Sequence, residues 1–200
     1  MIPAKLRGGW VRRSISLDGR DEATDTLVWW LQAPSKHCDL RIPPAGRDGL
    51  MAFAGTTTWA EPRLTWHPEL ELIPSCFEDS GVITWDGADM IETGVCQEDG
   101  RQLSYVERWQ RLPGSQRDQF ALSTGTGRMV RAGGYALSII DDRPDGGSFA
   151  AVAWTLTGGE WSAAHRWPVD AVSPAPPLRL PARRAVVVLD DGTEWTIDER

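Results

Sequence analysis

An all-β fold, antiparallel from end to end, is what this sequence predicts, and three observations carry that expectation. Tryptophan supplies eleven of the 200 residues, against four phenylalanines and two tyrosines. Such large rings favour pleated, half-buried surfaces. Most of them sit in short runs that alternate apolar with polar residues, the period-2 pattern of a strand with one wet face. The runs are broken by Gly, Asp and Pro, and no 3.6-residue periodicity persists beyond two helical turns.

Taken in order, period 2 places strands at residues 9–17, 26–33, 37–42, 50–60, 63–72, 80–86, 89–96 and 102–112. Asp18-Gly19, Asp86-Gly87-Ala88-Asp89 and Asp99-Gly100 are tight-turn sequences, so neighbouring strands pair as a meander. Eight meandering strands is the number at which a sheet closes around side chains or one small ligand. After Leu112-Pro113-Gly114-Ser115 the pattern restarts at 119–124, 127–132, 135–141, 148–156, 159–167, 185–190 and 193–198. The proline-rich segment from Pro168 to Pro181 argues for an extended crossing or an edge, because proline cannot donate to a ladder. Two units in tandem follow, a barrel at 1–113 and a smaller barrel-like unit at 114–200, with short helical turns allowed at Glu22-Ala23-Thr24 and over Pro74 to Asp79.

Composition excludes several classes of function. A chain that is 41% hydrophobic and 24% charged is an ordinary globular one. A formal charge of -7 repels a phosphate backbone, so nucleic acid is not an expected partner. The longest apolar stretch, near Phe149 to Leu156, falls far short of the roughly 18 residues of a membrane span, and Met1 to Gly9 has no signal-peptide core. A cytoplasmic location is the expectation. Cys38, Cys76 and Cys96 form no close-spaced pair, so they read as reduced, mostly buried thiols rather than a disulfide or zinc framework. His37, His67 and His165 are isolated; no cofactor is expected, with haem held through a lone histidine as the alternative. Nucleophile-elbow, phosphate-loop, dinucleotide and His-Glu-x-x-His patterns are all missing from the sequence.

Alternation also says which side chains share a face. In the fifth run Leu64, Trp66, Leu70 and Leu72 fall on one side and Arg63, Thr65, His67, Glu69 and Glu71 on the other. In the eighth, Leu103, Tyr105, Glu107 and Trp109 share the side expected to be buried, which sets Glu107 between two rings. A buried carboxylate must be paired, hydrogen-bonded or protonated. Arg41 is the expected partner, since His37, Asp39 and Arg41 share a face opposite Cys38, Leu40 and Ile42. Glu92, on a face with Met90 and Cys96, is a second carboxylate of the same kind. Trp66, Trp85 and Trp109 are expected to point inward, and the adjacent Trp29 and Trp30 to point to opposite sides.

The candidate ligand-binding set is therefore Arg41, Asp39, Trp66, His67, Glu92, Tyr105, Glu107 and Trp109. Two readings compete for it. In one, Arg41 grasps a ligand carboxylate while the others supply hydrogen bonds or acid-base groups. In the other, the charges form an internal network that fixes the barrel's register.

Gly8-Gly9-Trp10 is similar to the Gly-x-Trp signature of lipocalins, whose tryptophan closes the barrel base. Trp30-Leu31-Gln32-Ala33-Pro34-Ser35, Asp39-Leu40-Arg41-Ile42-Pro43, Phe53-Ala54-Gly55, Leu64-Thr65-Trp66-His67, Ile91-Glu92-Thr93-Gly94 and Tyr105-x-Glu107-x-Trp109 together resemble an uncharacterised calycin-like family of bacteria and fungi. Its fungal members are the Hri-type proteins, named for interacting with a casein kinase. The resemblance spans about residues 8–112. It implies calycin- or lipocalin-like barrels and no established enzymatic activity.

Three functions follow as expectations. The first is a non-catalytic module that binds a small apolar or amphipathic molecule, anchored by Arg41. The second is a calycin-type lyase or cyclase that uses Arg41, Glu107 and Tyr105 as carboxylate clamp, general acid and orienting hydroxyl. The third is a protein-interaction scaffold that presents Ser173 to Pro181 as a docking strand. A monomer and a homodimer are both compatible with the pattern.

Overall fold

A computed structural model describes residues 1–22, 25–44, 50–74, 78–98, 100–182 and 184–199. Cys76, the middle of the Pro74 to Asp79 segment and most of the turn expected at Glu22-Ala23-Thr24 lie outside the described residues. The strands are β1 (Gly8–Leu17), β2 (Arg20–Asp21), β3 (Leu27–Gln32), β4 (Lys36–Ile42), β5 (Met51–Ala60), β6 (Arg63–Glu71), β7 (Asp79–Asp86), β8 (Asp89–Glu98) and β9 (Arg101–Arg111). They continue as β10 (Phe120–Ser123), β11 (Gly127–Ala132), β12 (Tyr135–Asp141), β13 (Phe149–Thr157), β14 (Glu160–Trp167), β15 (Val186–Val188) and β16 (Glu194–Glu199). The fifteen long-range runs read from the sequence are the fifteen longest of these. Period 2 does not mark the two-residue β2, or the single 3-10 turn at Arg143–Asp145.

β1 and β3 to β9 form a meander that closes on itself when β9 pairs with β1, from Trp10 opposite Arg111 to Leu17 opposite Tyr105. β2 is a short extension beyond β1, reached through a turn in which Asp18 and Gly19 both have positive φ, at 47° and 75°. That is the backbone an Asp-Gly hairpin turn requires. No described helix is long and apolar enough to cross a membrane.

The barrel interior is packed at one end. Trp10, Trp30, Trp66 and Trp109 fill it together with Val28, Leu64, Ile83 and Met90, and Trp59 and Trp85 lean on the cluster from partly buried positions. The rings meet at 5.5 to 6.3 Å, Trp30 touching Trp10, Trp66 and Trp109. The segment before β1 plugs this end: Ile2 and Leu6 are fully buried in the cluster, and the Trp10 indole donates to the Leu6 carbonyl at 2.8 Å. Arg111 lies 4.0 Å over the Trp10 ring and donates to the carbonyls of Lys5 and Arg7.

One expectation about facing is overturned in β6. Leu64 and Trp66 point into the barrel, but Leu70 and Leu72 pack outside it. The register slips between Ala54, opposite Leu70, and Gly55, opposite Pro68, so Glu69 has no partner in the ladder. One extra residue reverses the facing of everything beyond it. The bulge depends on Gly55, where a Cβ would lie 2.1 Å from the His67 carbonyl oxygen and 2.8 Å from the Glu69 nitrogen. Because both obstacles are main chain, Gly55→Ala is expected to destabilise by about 2–3 kcal/mol. A urea midpoint equal to that of the parent protein would contradict this.

The second run of strands forms a seven-stranded antiparallel sheet in the order β14-β13-β12-β11-β10-β16-β15. One face lies against the barrel wall. Trp29, Leu31, Cys38, Leu40, Ala52 and Ala54 point out of the barrel and meet Val130, Ala132, Leu137, Ile139, Ala151 and Ala153 of this sheet. Small residues on both sides let the two layers approach. Trp29 and Trp30 do face opposite ways: Trp29 packs edge-on against Tyr135 and His165, at 5.6 and 5.7 Å. The proline-rich segment crosses the sheet's far face. Ala171 and Ala175 pack on Val152 and Trp154, Ser173 donates to Ser138 at 2.7 Å, and Arg131 donates to the carbonyls of Pro177 and Leu178.

Candidate functional site

Beyond the tryptophan layer the barrel opens to solvent as a cavity of about 550 Å³. Its walls are part apolar, from Ile15, Leu17, Met51, Phe53 and Val95, and part charged, from Arg41, Asp79, Glu92, Tyr105 and Glu107. Hollows of about 650 and 670 Å³ flank the proline-rich segment on the second sheet. The buried cation of the first, Arg131, is occupied by main-chain carbonyls. The barrel cavity differs from both in bringing buried carboxyl groups, Glu92 and Glu107, together with a guanidinium, Arg41.

Each charged group arrives there by strand alternation. On β4, His37, Asp39 and Arg41 point inward. On β9, Tyr105, Glu107 and Trp109 do so, and all three are buried. Arg41 donates from Nε to Asp39 at 2.9 Å and lies 5.5 Å from the centre of the Phe53 ring. The partner of Glu107 is not Arg41, as expected, but Arg12, which donates to its Oε1. Arg12 follows Trp10 by two residues on β1, so the same alternation that turns Trp10 inward turns Arg12 inward; that signal was present in the sequence. The Tyr105 hydroxyl donates to Glu92 Oε1 at 2.7 Å.

Two glycines make room for the last pair. A Cβ at Gly81 would lie 2.6 Å from Glu92 Cγ, and one at Gly94 would lie 2.6 Å from the Tyr105 hydroxyl. Gly81 and Gly94 are opposite each other on β7 and β8, and Gly94 is opposite Tyr105 on β9. The Glu92 and Tyr105 side chains lie across this notch.

Glu92 and Glu107 are directly opposite on β8 and β9, an arrangement that disfavours two negative charges. Burial, and then the Glu107 charge, push the Glu92 carboxyl well above the ordinary range. Burial and Glu92 likewise raise the Tyr105 phenol. Asp39 is raised by burial and held back by Arg41. The Arg41 guanidinium is raised, because Asp39 and Glu107 outweigh the burial that disfavours its charge.

Asp79, at the start of β7, escaped the sequence reading because it borders the run rather than alternating within it. Its carboxyl is pushed up to about 6 by burial, against the pull of Arg41. Its folded value exceeds the unfolded one, so stability is present below about pH 4 and is lost as pH rises through about 6. Asp79→Asn is expected to be more stable than the parent by about 1–3 kcal/mol at pH 8 and equal to it at pH 3. Urea unfolding at the two pH values measures this; an equal loss at both would refute it.

The remaining candidates are placed differently. Trp66 and Trp109 point inward but belong to the packed cluster below the cavity. His67 lies on the outer face, hydrogen-bonded to Thr58 at 2.9 Å. His37 is buried inside the barrel against Phe53, with Nδ1 2.9 Å from the Thr57 hydroxyl and Nε2 without a partner. Burial lowers it to about 3, so it is neutral. Its contribution has the opposite sign to that of Asp79: stability is full above pH 6.5 and is lost as pH falls towards 3. Cys38 is buried in the interface between the layers, where burial raises its thiol, and Cys96 borders the cavity; neither is in a disulfide.

An eight-stranded antiparallel barrel, plugged by tryptophan at one end and opening at the other onto an ion-paired cavity, with a second sheet laid on its wall, is the class that this fold and site define. The family model described as Protein HRI1 matches residues 10–199. The chain belongs to the HRI1 family. No curated protein matches it in sequence. Its fold is similar to that of an uncharacterized protein of Saccharomyces cerevisiae, YLR301w, whose crystal structure superposes with a TM-score of 0.75 over 96% of this chain and 98% of that one, at 15% identity. That likeness concerns the fold of both layers.

Proposed function

We propose that this protein is a non-catalytic, lipocalin-like binding module that holds one small apolar or amphipathic molecule in the barrel cavity. The observation that carries the reading is a cavity of about 550 Å³ whose lining mixes apolar side chains with fixed polar and charged groups. Ligand sites of roughly 300–1,000 Å³ are commonly built this way. The closed end supports it too: the tryptophan plug supplies rigidity below the cavity, so the cavity need not collapse when empty. Trp10 lies in that plug, as the Gly-x-Trp resemblance implies for the base of a lipocalin barrel.

The charged groups serve this reading as a pre-organised lining. Arg12 holds Glu107 and Asp39 holds Arg41, so these two lining groups meet a ligand already ordered. Native mass spectrometry of the freshly purified protein, compared with its denatured mass, is expected to show a retained small molecule. Calorimetric titration with 1-octanol is expected to show saturable uptake of one molecule per chain. A bare native mass together with no uptake of octanol or of its charged analogues would overturn the proposal.

A further inference from the structure

The charge arrangement in the cavity names a class of ligand, resting on the binding reading above. Among the described residues two guanidinium groups face the interior, Arg12 and Arg41, and each is in contact with a carboxylate, Arg12 with Glu107 and Arg41 with Asp39. A ligand carboxylate at Arg41 would share that guanidinium with Asp39 and add a further negative charge among the buried carboxyl groups. Among the described residues carboxyls outnumber the cations: Asp79, Glu92 and Glu107 line the cavity, Asp39 is buried behind Arg41, and Glu71 and Glu78 stand at the rim. Among them Asp79 receives no side-chain hydrogen bond from a described residue.

We infer that the cavity takes an amphipathic amine, a protonated nitrogen head held by Asp79 and the Glu92 carboxyl, with its hydrocarbon against Phe53, Met51 and Ile15. Glu92 is suited to this even when neutral. It accepts the Tyr105 hydroxyl on Oε1, and its carbonyl lone pairs can accept an ammonium proton. Asp79 is ionised at pH 7, since burial and its neighbours carry it only to about 6. Among the described residues the interior presents four carboxyl groups against two guanidiniums, and Glu71 and Glu78 add acid at the rim. A cation restores balance and an anion worsens it. The whole chain, at -7, attracts cations toward the mouth as well.

Three probes that share one tail separate the possibilities: octylamine, 1-octanol and octanoate, titrated into the intact protein at pH 7.5 and low salt. The expected result is octylamine binding at least tenfold more tightly than octanol, with octanoate weakest. Asp79→Asn is expected to abolish the preference for octylamine over octanol. Octanoate binding tightest would overturn the inference and restore a carboxylate held by Arg41, with the binding module intact. Equal affinities for the amine and the alcohol would also overturn it. No binding by any of the three would instead remove the binding reading itself. The head-group comparison uses the unsubstituted protein, so the inference stands or falls even if the variant does not fold.

Discussion

Truncating Trp30 to alanine is expected to cost about 3–5 kcal/mol of stability, because it empties the centre of the plugged end. Trp30 is 1% exposed and is the ring that the others share, touching Trp10, Trp66 and Trp109. The surrounding rings are large and held by strands on every side, so they cannot slide into the space that is left. A lost transfer energy and an unfilled cavity therefore add. Trp30→Phe is expected to lose less than half as much. Its indole nitrogen has no hydrogen-bond partner among the described residues, so replacing it removes an uncompensated polar group as well as area. Urea unfolding of the two variants measures both effects. A loss below about 1 kcal/mol for Trp30→Ala would mean that the cluster repacks and that the plug is not a rigid unit.

Glu107→Leu is expected to be comparably damaging, for an electrostatic reason. Glu107 is 4% exposed and bonded to Arg12, whose side chain is also largely covered. Removing one partner of a buried pair strands the other charge, at a cost of about 3–5 kcal/mol. The double variant Arg12→Met with Glu107→Leu should recover most of that loss, since two apolar side chains leave nothing unsatisfied. Stability of the two single variants and the double variant, measured together, gives the coupling. Additive losses would mean that the pair does not act as a pair. The same series informs the cavity: without the charge at Glu107, the Glu92 carboxyl should titrate closer to the ordinary carboxylate range, because the like charge opposite it is gone.

Much of the candidate site could be read before any coordinates. Alternation put Asp39 and Arg41 on one face of β4, and Tyr105 and Glu107 on one face of β9. It also required the buried carboxylate to have a partner. It named the wrong one. Arg41 and Arg12 both face inward, and the choice between them depends on which strand closes against β9. That neighbour is β1, almost a hundred residues away in the chain. The opposed carboxylates Glu92 and Glu107 were likewise visible as inward-facing residues, but their being opposite each other is a matter of register between β8 and β9. His67 was placed with the site on the strength of a shared motif, although the alternation of β6 had set it opposite Trp66, and the outer face is where it lies.

The sequence by itself determined the all-β class, the strands to within a residue or two, the opposite facing of Trp29 and Trp30, and the extended crossing of the proline-rich segment. These are local matters, settled by period 2, turn residues and the fixed φ of proline. Only the tertiary structure decided the register in which β9 closes on β1, the pairing of Arg12 with Glu107, the inclusion of Asp79 and the reversal of facing within β6. The physical reason is common to all four. Register across strands, a one-residue bulge at Gly55 and the neighbours that surround a charge are set by contacts between residues far apart in the chain. Alternation along a single strand carries no information about which partner those contacts select.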